Sequence, residues 1–235
     1  MTAPAKDRRL QLPPNLGKLD YDKIIRECFD CGRLYFDYGE ILFQKPMLFH
    51  NLAVVITDGA CLRNGQSASR AGIGIVAGSD PSQQFSIPWH RIDCIPAGLE
   101  RTSQRAEIFA AMEGLRKAVD VHAHLSWATL EWLRPSKLIL ATDSEYVVNG
   151  LTEWFPNWKK HGNKTSRGVR SVNFDLFEQL EATVIELEKN HRMEIFFLNV
   201  PHEAKARADR LAGDAARLDD ATVEANTVRL AQFHI

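Results

Sequence analysis

The sequence lacks several features that would assign the protein to a membrane, to secretion or to a strongly cationic class. No apolar run approaches the roughly 20 residues that cross a bilayer, and no hydrophobic signal segment follows Met1, so we expect no membrane contact. Only four cysteines occur, at scattered positions, which argues against a disulfide framework. This predicts a reducing, intracellular compartment, whether cytoplasm, nucleus or mitochondrion. With 29 Lys and Arg against 30 Asp and Glu, the net charge is −1, so binding of a polyanion would require a local basic patch.

Regular strand and helix patterns begin after residue 50. The stretches "NLAVVIT", "AGIGIVAG" and "QQFSIPWH" are separated by turn-rich links and predict an antiparallel meander. Further patterns follow in the order α-β-α-α-β-α, so we predict an α/β fold in which helices cover a mixed sheet. We divide the chain into an N-terminal extension over 1–50, a main domain over 51–220 and a tail over 221–235. We expect residues 1–18 of the extension to be disordered.

The stretch "LAVVITDGAC", residues 52–61, ends a buried-strand pattern with an acid. Burying a carboxylate costs free energy unless a positive charge compensates it. Asp58 and Gly59 could open a turn, since Asp-Gly is a common turn signal. Alternatively, the end of the strand holds Asp58 as a ligand for a metal ion.

Three further acids lie at comparable places on the predicted elements. Asp143 follows the strand "LILAT", Glu107 lies in the first turn of a helix, and Asp209 lies in the first turns of the last helix. Singly, each could be a turn former, a favourable charge near a helix N-terminus or a solvated acid. Four converging carboxylates, however, need cations to stay ionised. Oxygen ligands without His or Cys favour Mg²⁺ or Mn²⁺, and two such ions about 4 Å apart form a clamp that hydrolyses phosphodiesters.

Several motifs of the sequence resemble the catalytic domain of type 1 ribonuclease H. They are "TDGACLRNG", "TSQRAEI", "ATDSEYVVNGLTEWFPNWKKHGNKTS" and "VPHEAKARADRLA", and the resemblance extends over residues 51–217. It implies a ribonuclease H-like mixed five-stranded sheet flanked by α-helices. It also implies an endonuclease that needs two Mg²⁺ ions, with Mn²⁺ as a substitute. Such an enzyme cuts the RNA strand of RNA–DNA hybrids and leaves 5′-phosphates. The acidic tetrad of the family, which is both catalytic and metal-binding, falls on Asp58, Glu107, Asp143 and Asp209.

The resemblance also implies contacts with the hybrid. The 2′-hydroxyl distinguishes RNA from DNA, and the family positions that contact it fall on Asn64, Ser103 and Gln104. The family usually has Asn where Ser103 stands, and this serine equally suits a helix cap. Thr102 and Asn173 resemble the pocket for a DNA phosphate. The arginine that completes this pocket is out of register, because Glu100 holds its place.

The stretch "WFPNWKKHGNKTSRGVR", residues 154–170, is similar to the basic protrusion of longer type 1 enzymes. It carries no acid, and basic residues interleaved with tryptophans suit contact with backbone phosphates and sugars. A solvated basic loop is the alternative interpretation. The implied substrate contacts in this stretch are Trp154, Trp158, Lys159, Lys160, Thr165 and Ser166.

The connection between Pro201 and Asp209 is several residues shorter than in the family. His202 is the nearest candidate for the mobile histidine that assists product release there. With the shorter connection we expect it to have less reach and to lie near the start of the last helix. A surface histidine without a catalytic part is the alternative.

Two other signals are weaker. Cys28 and Cys31 form a lone C-x-x-C, which is a weak indication of zinc, and two buried thiols are the simpler interpretation. The long stretch "DVHAHLSWATLEWLRPS" carries Trp127 and Trp132, which could cover a helix or contact a protein partner. We expect its histidines, His122 and His124, to be surface residues.

Three alternatives to a hybrid nuclease remain open on the sequence alone. One is a catalytically weak protein of the same fold that binds hybrids or double-stranded RNA. Another is a nuclease of related fold with a different substrate, against which Asn64 and Gln104 argue, because DNA has no 2′-hydroxyl to contact. The third is a scaffold that binds a protein partner through residues 1–50 or the segment from Trp127 to Trp132. In every case we expect a monomer.

Overall fold

The computed structural model describes residues 7–12, 21–37, 49–66, 68–93, 95, 98–123, 135–164, 168–169 and 171–219. Seven strands in these ranges form one sheet: β1 (Ile25–Glu27), β2 (Leu34–Phe36), β3 (Leu52–Leu62), β4 (Arg70–Val76), β5 (Gln84–Pro88), β6 (Lys137–Thr142) and β7 (Glu194–Asn199). The α-helices in the same ranges are α1 (Tyr21–Ile24), α2 (Ser103–Ala123), α3 (Glu145–Asn149), α4 (Phe155–Lys160), α5 (Phe174–His191) and α6 (Ala206–Leu218). A π-helical turn, Gly150–Trp154, links α3 to α4.

The long strand β3 organises the sheet. It pairs antiparallel with β4, which pairs antiparallel with β5, so the predicted meander is confirmed. On its other side β3 pairs parallel with β6, and β6 pairs parallel with β7. This confirms the predicted mixed sheet. The parallel pairing also places the carboxyl end of β6 beside the second half of β3, at the edge where an α/β sheet gathers its functional groups.

The sheet has two more strands than the five predicted, which correspond to β3–β7. The extra strands, β1 and β2, form a hairpin of the N-terminal extension that joins β3 through the pair Tyr35↔Ala53. Residues 7–12 also lie against the sheet, where the Leu10 N–H donates to the Phe197 carbonyl at 2.8 Å. The prediction of disorder over residues 1–18 is therefore wrong for residues 7–12. The domain division stays a prediction, and its tail from residue 221 lies outside the described residues.

Both faces of β3 are buried. Val55 packs on one face in a core that includes residues of α2 and α5, whereas Val54 packs on the other face with residues of β6 and α6. A strand covered on both faces needs no apolar–polar alternation, which explains the continuous hydrophobic run. The helical spacing predicted for α2 is confirmed, because its stripe is buried: Ile108, Met112, Leu115 and Val119.

The carboxyl-terminal end of α2 differs from the prediction. His122, expected at the surface, is buried, and its ring meets Tyr35 edge-on with 5.7 Å between the ring centroids. Burial, together with the nearby charge of Arg33, lowers the pKa of His122 to about 3, so its ring is neutral. His124 lies outside the described residues, as do Trp127 and Trp132. No helix in the part of the chain that the structure describes is long and apolar enough to cross a membrane.

Candidate active site

Asp58 and Gly59 do not form a turn. β3 continues to Leu62, so Asp58 lies inside the strand, opposite Gly74 of β4. A glycine is required at position 59 for steric reasons, because a Cβ atom there would lie only 2.3 Å from the backbone nitrogen of Glu107. The missing side chain lets the first turn of α2 approach β3 closely, and this brings Glu107 to the same end of the sheet as Asp58.

The other two acids reach this place from β6 and α6. Asp143 directly follows β6, whose last paired residue is Thr142. Asp209 lies in the first turn of α6. Ser144 begins α3 by accepting a hydrogen bond from the Val147 N–H, and its hydroxyl donates to Glu107. The next residue in the chain after Asp143 therefore orients the Glu107 carboxylate.

A lysine that the sequence analysis did not single out lies among these acids. The ammonium nitrogen of Lys205 is 2.6 Å from Asp58 Oδ1, 3.3 Å from Asp143 Oδ2 and 3.6 Å from Asp209 Oδ1. Its side chain is only 4% exposed. The one local signal is its position four residues before Asp209, which puts both side chains on the same side of the helix start. Lys205 thus supplies one internal positive charge to a group of four carboxylates.

The electrostatics of the site follow from this crowding. Burial raises the pKa of Asp58, and Asp143 and Asp209 add to the effect against the opposing hydrogen bond from Lys205. Burial also raises the pKa of Glu107, where the hydrogen bond from Ser144 opposes it and the charges of Asp58 and Asp143 add to it. Burial alone would lower the pKa of Lys205, but the adjacent carboxylates outweigh it and raise that pKa.

The donor set fits hard divalent cations. Lys205 contacts Asp58, Asp143 and Asp209, and Ser144 donates a hydrogen bond to Glu107. One ammonium cannot neutralise four carboxylates, so the group keeps a net negative charge. Mg²⁺ and Mn²⁺ prefer such oxygen ligands. Entry of these ions would require the Lys205 ammonium to share or leave its contacts with Asp58 and Asp143.

His202 lies beside the acids. It begins a 3₁₀ turn, His202–Lys205, that leads directly into α6. Its Nδ1 atom is 3.2 Å from Asp143 Oδ2, and its side chain is 65% exposed. The predicted place near the start of the last helix is confirmed. The short turn carries the ring to Asp143. The expectation of less reach than a longer connection would give stays a prediction.

Comparison of the sequence with known proteins identifies the family of this chain. Residues 50–217 match the family model of RNase H. Ribonuclease H of Erythrobacter litoralis is 32% identical over 168 residues, which are 70% of this chain and 95% of that protein. The chain belongs to the ribonuclease H family.

Two further relatives define the extent of the similarity. Ribonuclease H1 of Rattus norvegicus is 34% identical over 169 residues, and these make up 70% of this chain and 50% of the rat protein. The chain therefore spans about half the length of this curated relative. The solution structure of the PFV RNase H domain has the same fold, with a TM-score of 0.50 and 22% identity over 72% of this chain and 96% of that domain. The predicted resemblance and fold class are confirmed.

Two of the predicted hydroxyl contacts lie together in this ribonuclease H chain. The side-chain oxygen of Asn64, in the turn after β3, accepts a hydrogen bond from the Ser103 N–H at 3.3 Å. Gln104 follows on the exposed first turn of α2. The helix cap is supplied by Thr102, whose hydroxyl accepts from the Arg105 N–H at 3.3 Å, and not by Ser103. Ser103 therefore keeps its hydroxyl available to a ligand.

Arg105 lies beside two residues of the predicted phosphate pocket, Thr102 and Asn173. Its Nε donates to Asn173 Oδ1 at 3.0 Å, and its Nη1 donates to the Glu100 carbonyl at 2.9 Å. It thus joins Asn173 to the segment that carries Thr102. From the sequence we expected the arginine of this pocket before Thr102 and did not consider Arg105, three residues after it. No local feature of the sequence distinguishes Arg105 from an ordinary surface arginine.

Arg101, the arginine nearest to the expected register, is structural. Its Nε donates to Asp219 Oδ2 at 2.7 Å, and Asp219 also accepts from the Ala71 N–H at 2.9 Å. Burial opposes ionisation of Asp219, but these bonds outweigh it and hold the pKa of Asp219 below its usual value. The pair therefore ties the end of α6 to β4 and leaves Arg101 no role in the pocket.

The basic segment is less uniform than predicted. Trp154 and Trp158 lie with their ring centroids 6.3 Å apart, and Trp158 also packs on Phe177 of the core. The Lys159 ammonium pairs with Glu181 at 2.6 Å, whereas Lys160 is exposed. The positive charge of Lys159, one of the two predicted lysines, is thus paired with Glu181 of α5. Thr165 and Ser166 lie outside the described residues.

Proposed function

We propose that this chain is an Mg²⁺-dependent endonuclease that hydrolyses the RNA strand of RNA–DNA hybrids and leaves 5′-phosphates. The observation that carries the proposal is that Asp58, Asp143 and Asp209 meet at one buried ammonium, that of Lys205. Ser144, the neighbour of Asp143 in the chain, holds the fourth acid, Glu107, beside them. Membership of the ribonuclease H family supports it. The neighbouring Asn64–Ser103 pair supports the choice of an RNA strand, because both side chains can form hydrogen bonds with a 2′-hydroxyl.

Two divalent ions would be held by the tetrad: Asp58, Glu107, Asp143 and Asp209. When bound, such ions supply Lewis acidity and make water nucleophilic at neutral pH. Ser144 fixes the orientation of Glu107. Lys205 holds the carboxylates of Asp58 and Asp143 together in the ion-free protein by reducing their repulsion.

His202 would move a proton near the product phosphate. Its ring contacts Asp143 at Nδ1 and is otherwise largely exposed, so it is free to turn towards a ligand. An imidazole can donate a hydrogen bond from one ring nitrogen and accept one at the other, which suits a group that releases a cleaved phosphate. On the opposite strand, the phosphate pocket formed by Thr102, Arg105 and Asn173 would position the DNA.

A cleavage assay tests the proposal. End-labelled hybrid, double-stranded RNA and double-stranded DNA of one sequence are incubated with the purified chain, with Mg²⁺, with Mn²⁺ or with EDTA. We expect cleavage of the hybrid's RNA strand alone, in either metal, with 5′-phosphate ends. Cleavage of the DNA duplex, or hybrid cleavage that persists in EDTA, would refute the assignment.

The second candidate is a protein of the same fold that binds hybrids or double-stranded RNA and cleaves them weakly. Lys205 favours it, because an ammonium inside the acidic group competes with metal ions for the same oxygens. This candidate predicts tight hybrid binding in a separate binding measurement, with only slow cleavage in the assay above at any Mg²⁺ concentration.

Replacing His202 with alanine should lower kcat by about tenfold or less, well below the 10²–10⁴-fold typical of a general acid or base. The reason is that an exposed, mobile ring would assist product release and not bond cleavage itself. Steady-state and single-turnover rates should be compared, and the single-turnover rate should change less. Complete loss of single-turnover cleavage with intact binding would make His202 a true catalytic group.

The two lysines of the basic segment should differ in their effects on hybrid affinity. Lys160→Ala should reduce the logarithmic salt slope of binding by roughly 0.7–0.9, the value for one phosphate contact. Lys159→Ala should change it less, because Glu181 already neutralises this ammonium. Binding is measured in EDTA over a range of salt concentrations, with the exposed Lys189 at the far end of α5 replaced by alanine as the control. A larger effect of Lys159 would contradict this assignment.

Replacing Arg105 with alanine should weaken hybrid binding about tenfold, since one hydrogen bond to a charged group contributes about 1.5 kcal/mol. The loss should appear in KM and Kd more than in kcat, because the pocket would contact the DNA strand away from the cleaved bond. Arg105→Lys should restore part of the affinity by keeping the charge. Equal affinities of Arg105→Ala and the Lys189→Ala control would remove Arg105 from the interface.

A further inference from the structure

A second group of potential metal ligands lies in the N-terminal extension. The side-chain donor atoms of Cys28, Cys31 and His50 all lie within 4.8 Å of one another. The His50 Nε2 atom is 3.3 Å from Cys28 Sγ. These donors are two sulfurs and an imidazole, so the group differs in kind from the carboxylate site.

The backbone around the two cysteines forms a tight, hydrogen-bonded turn. The C-x-x-C stretch connects β1 to β2, and the Gly32 N–H donates to the Cys28 carbonyl at 2.8 Å. The Cys28 N–H in turn donates to the Arg33 carbonyl at 2.9 Å. Gly32 adopts a φ of 67°, a conformation that suits glycine and lets the chain reverse directly after Cys31. The turn therefore brings both sulfurs within reach of one ligand.

His50 reaches the turn from a different part of the sheet. It belongs to the 3₁₀ turn Phe49–Asn51, which leads directly into β3. Because β2 pairs with β3 at Tyr35↔Ala53, the hairpin and this turn lie side by side. The Tyr35 ring packs against the His50 ring with 4.5 Å between centroids, and its hydroxyl lies 3.8 Å from Cys31 Sγ. Tyr35 thus contacts two of the three donors, as groups around a metal site commonly do.

We propose that Cys28, Cys31 and His50 bind one zinc ion, which fastens the N-terminal hairpin to the start of β3. Two thiolates and an imidazole are preferred zinc ligands, and C-x₂-C is the usual spacing of a zinc-binding cysteine pair. Three protein ligands leave the fourth tetrahedral position to water or to an added ligand. Cys31 and His50 are half-exposed, so solvent has access to that position.

The zinc site is separate from the acidic site and does not depend on the proposed nuclease activity. It lies near the carboxyl-terminal end of α2, where Arg33 of the same hairpin donates to the Val121 carbonyl at 2.5 Å. Glu107 lies at the other end of that helix. Fourteen residues separate Glu107 from Val121, which at about 1.5 Å per residue is roughly 21 Å along the helix. The zinc ion would accordingly hold the hairpin to the start of β3 and take no part in cleavage at the acidic site.

The alternative chemistry for two adjacent cysteines is a disulfide. His50 argues against it, because a disulfide between Cys28 and Cys31 would use neither the imidazole nor its 3.3 Å contact with sulfur. A zinc ion would use all three donors at once.

Cobalt substitution tests the proposal on the full-length chain, produced without a histidine tag and kept reduced. Co²⁺ is added in the presence of saturating Mg²⁺, and the thiolate-to-cobalt charge-transfer band and the visible bands of tetrahedral cobalt are recorded. Binding to carboxylates gives no thiolate band, so the acidic site cannot produce this signal. We expect a band that saturates at about one Co²⁺ per chain and disappears when Zn²⁺ displaces the cobalt.

Substitutions of Cys28, Cys31 and His50 test whether these residues produce the cobalt bands. Cys28→Ser and Cys31→Ser should each lower the thiolate band by about half or more, and the double variant should abolish it. His50→Ala should weaken cobalt binding at least about tenfold. Cys61→Ser is the matched control, since this half-buried cysteine lies outside the group, and it should leave the band unchanged. Zn²⁺ should raise the Tm of the wild type and of Cys61→Ser but not of Cys28→Ser.

Three results would overturn the proposal. One is the absence of a thiolate band in the wild type, and another is a band that survives both cysteine substitutions. The third is a Cys28–Cys31 disulfide, found by mass spectrometry, in protein purified with Zn²⁺ and with reductant. If Cys28→Ser fails to fold, His50→Ala still decides the question, because unchanged cobalt affinity in that variant would exclude the imidazole as a ligand.

Discussion

Replacing Asp143 with asparagine should lower hybrid cleavage by about 10²–10³-fold while leaving the protein folded. A carboxylate ligand contributes several kcal/mol of transition-state stabilisation through the ions it holds, and each 1.36 kcal/mol corresponds to a factor of ten. Asp143 lies just after β6 and is partly exposed, so the isosteric amide disturbs no packing. Loss of the Asp143 charge relieves repulsion among the acids, but it also weakens the contact of 3.3 Å between residue 143 and the Lys205 ammonium. We therefore expect only a small change in Tm without metal.

The matched control is Asp120→Asn. Asp120 is exposed on α2, thirteen residues after Glu107, so it lies roughly 20 Å from the acidic site at about 1.5 Å per residue. This variant should retain wild-type rates. Turnover by Asp143→Asn within a factor of two or so of the control would contradict the assignment of the tetrad. Loss of activity in both variants would indicate a folding defect instead.

Replacing Lys205 with methionine should destabilise the ion-free protein by about 3 kcal/mol, the lower end of the range for losing one partner of a buried ion pair. The lysine is buried and lies 2.6 Å from Asp58, so its loss leaves a buried carboxylate beside other acids. The lower end applies because Asp58 can take up a proton. Its pKa is already raised by burial, and without Lys205 it should rise further.

The same substitution should make stability depend on metal and pH. When the pKa of a carboxyl group is higher in the folded than in the unfolded protein, the free energy of unfolding falls as the pH rises from the unfolded-state pKa through the folded-state pKa. The raised pKa of Asp58 therefore means that acidification towards the ordinary carboxyl range should reduce the destabilisation. Mg²⁺ should also reduce it by supplying positive charge to the same oxygens. Urea denaturation in EDTA and in Mg²⁺ measures both effects, and Lys189→Met provides the exposed control. A destabilisation that Mg²⁺ leaves unchanged would show that Lys205 does not share its place with metal ions.

The Mg²⁺ affinity of this variant tests whether the Lys205 ammonium competes with metal ions. If Lys205 competes with metal, Lys205→Met should bind Mg²⁺ more tightly than the wild type, as measured by calorimetry. If the acids orient correctly only around the ammonium, the affinity should fall. Either change is measurable without a cleavage assay.

The strands and helices of the main domain follow from local patterns. The β-branched runs of β3 and β6 and the apolar spacing along α2 depend on neighbouring residues, so short windows of sequence contain the necessary information. The four acids could also be selected from the sequence, because the family motifs assign each position, although each acid taken singly allowed several interpretations. Asp58 shows the limit of this reasoning. Its residue type was informative, but the expected strand end was wrong, since β3 continues to Leu62.

The sequence by itself therefore determined the fold class, the order of the elements from β3 to α6 apart from the short helix α4, and the acids of the candidate site. The tertiary structure decided which other groups meet them. Lys205 among the acids, Arg105 beside Asn173, and His50 beside Cys28 depend on contacts between residues far apart in the chain. Such contacts arise from the approach of α2 to β3 over Gly59 and from the pairing of β2 with β3, which depend on the packing of the whole sheet and not on any local pattern.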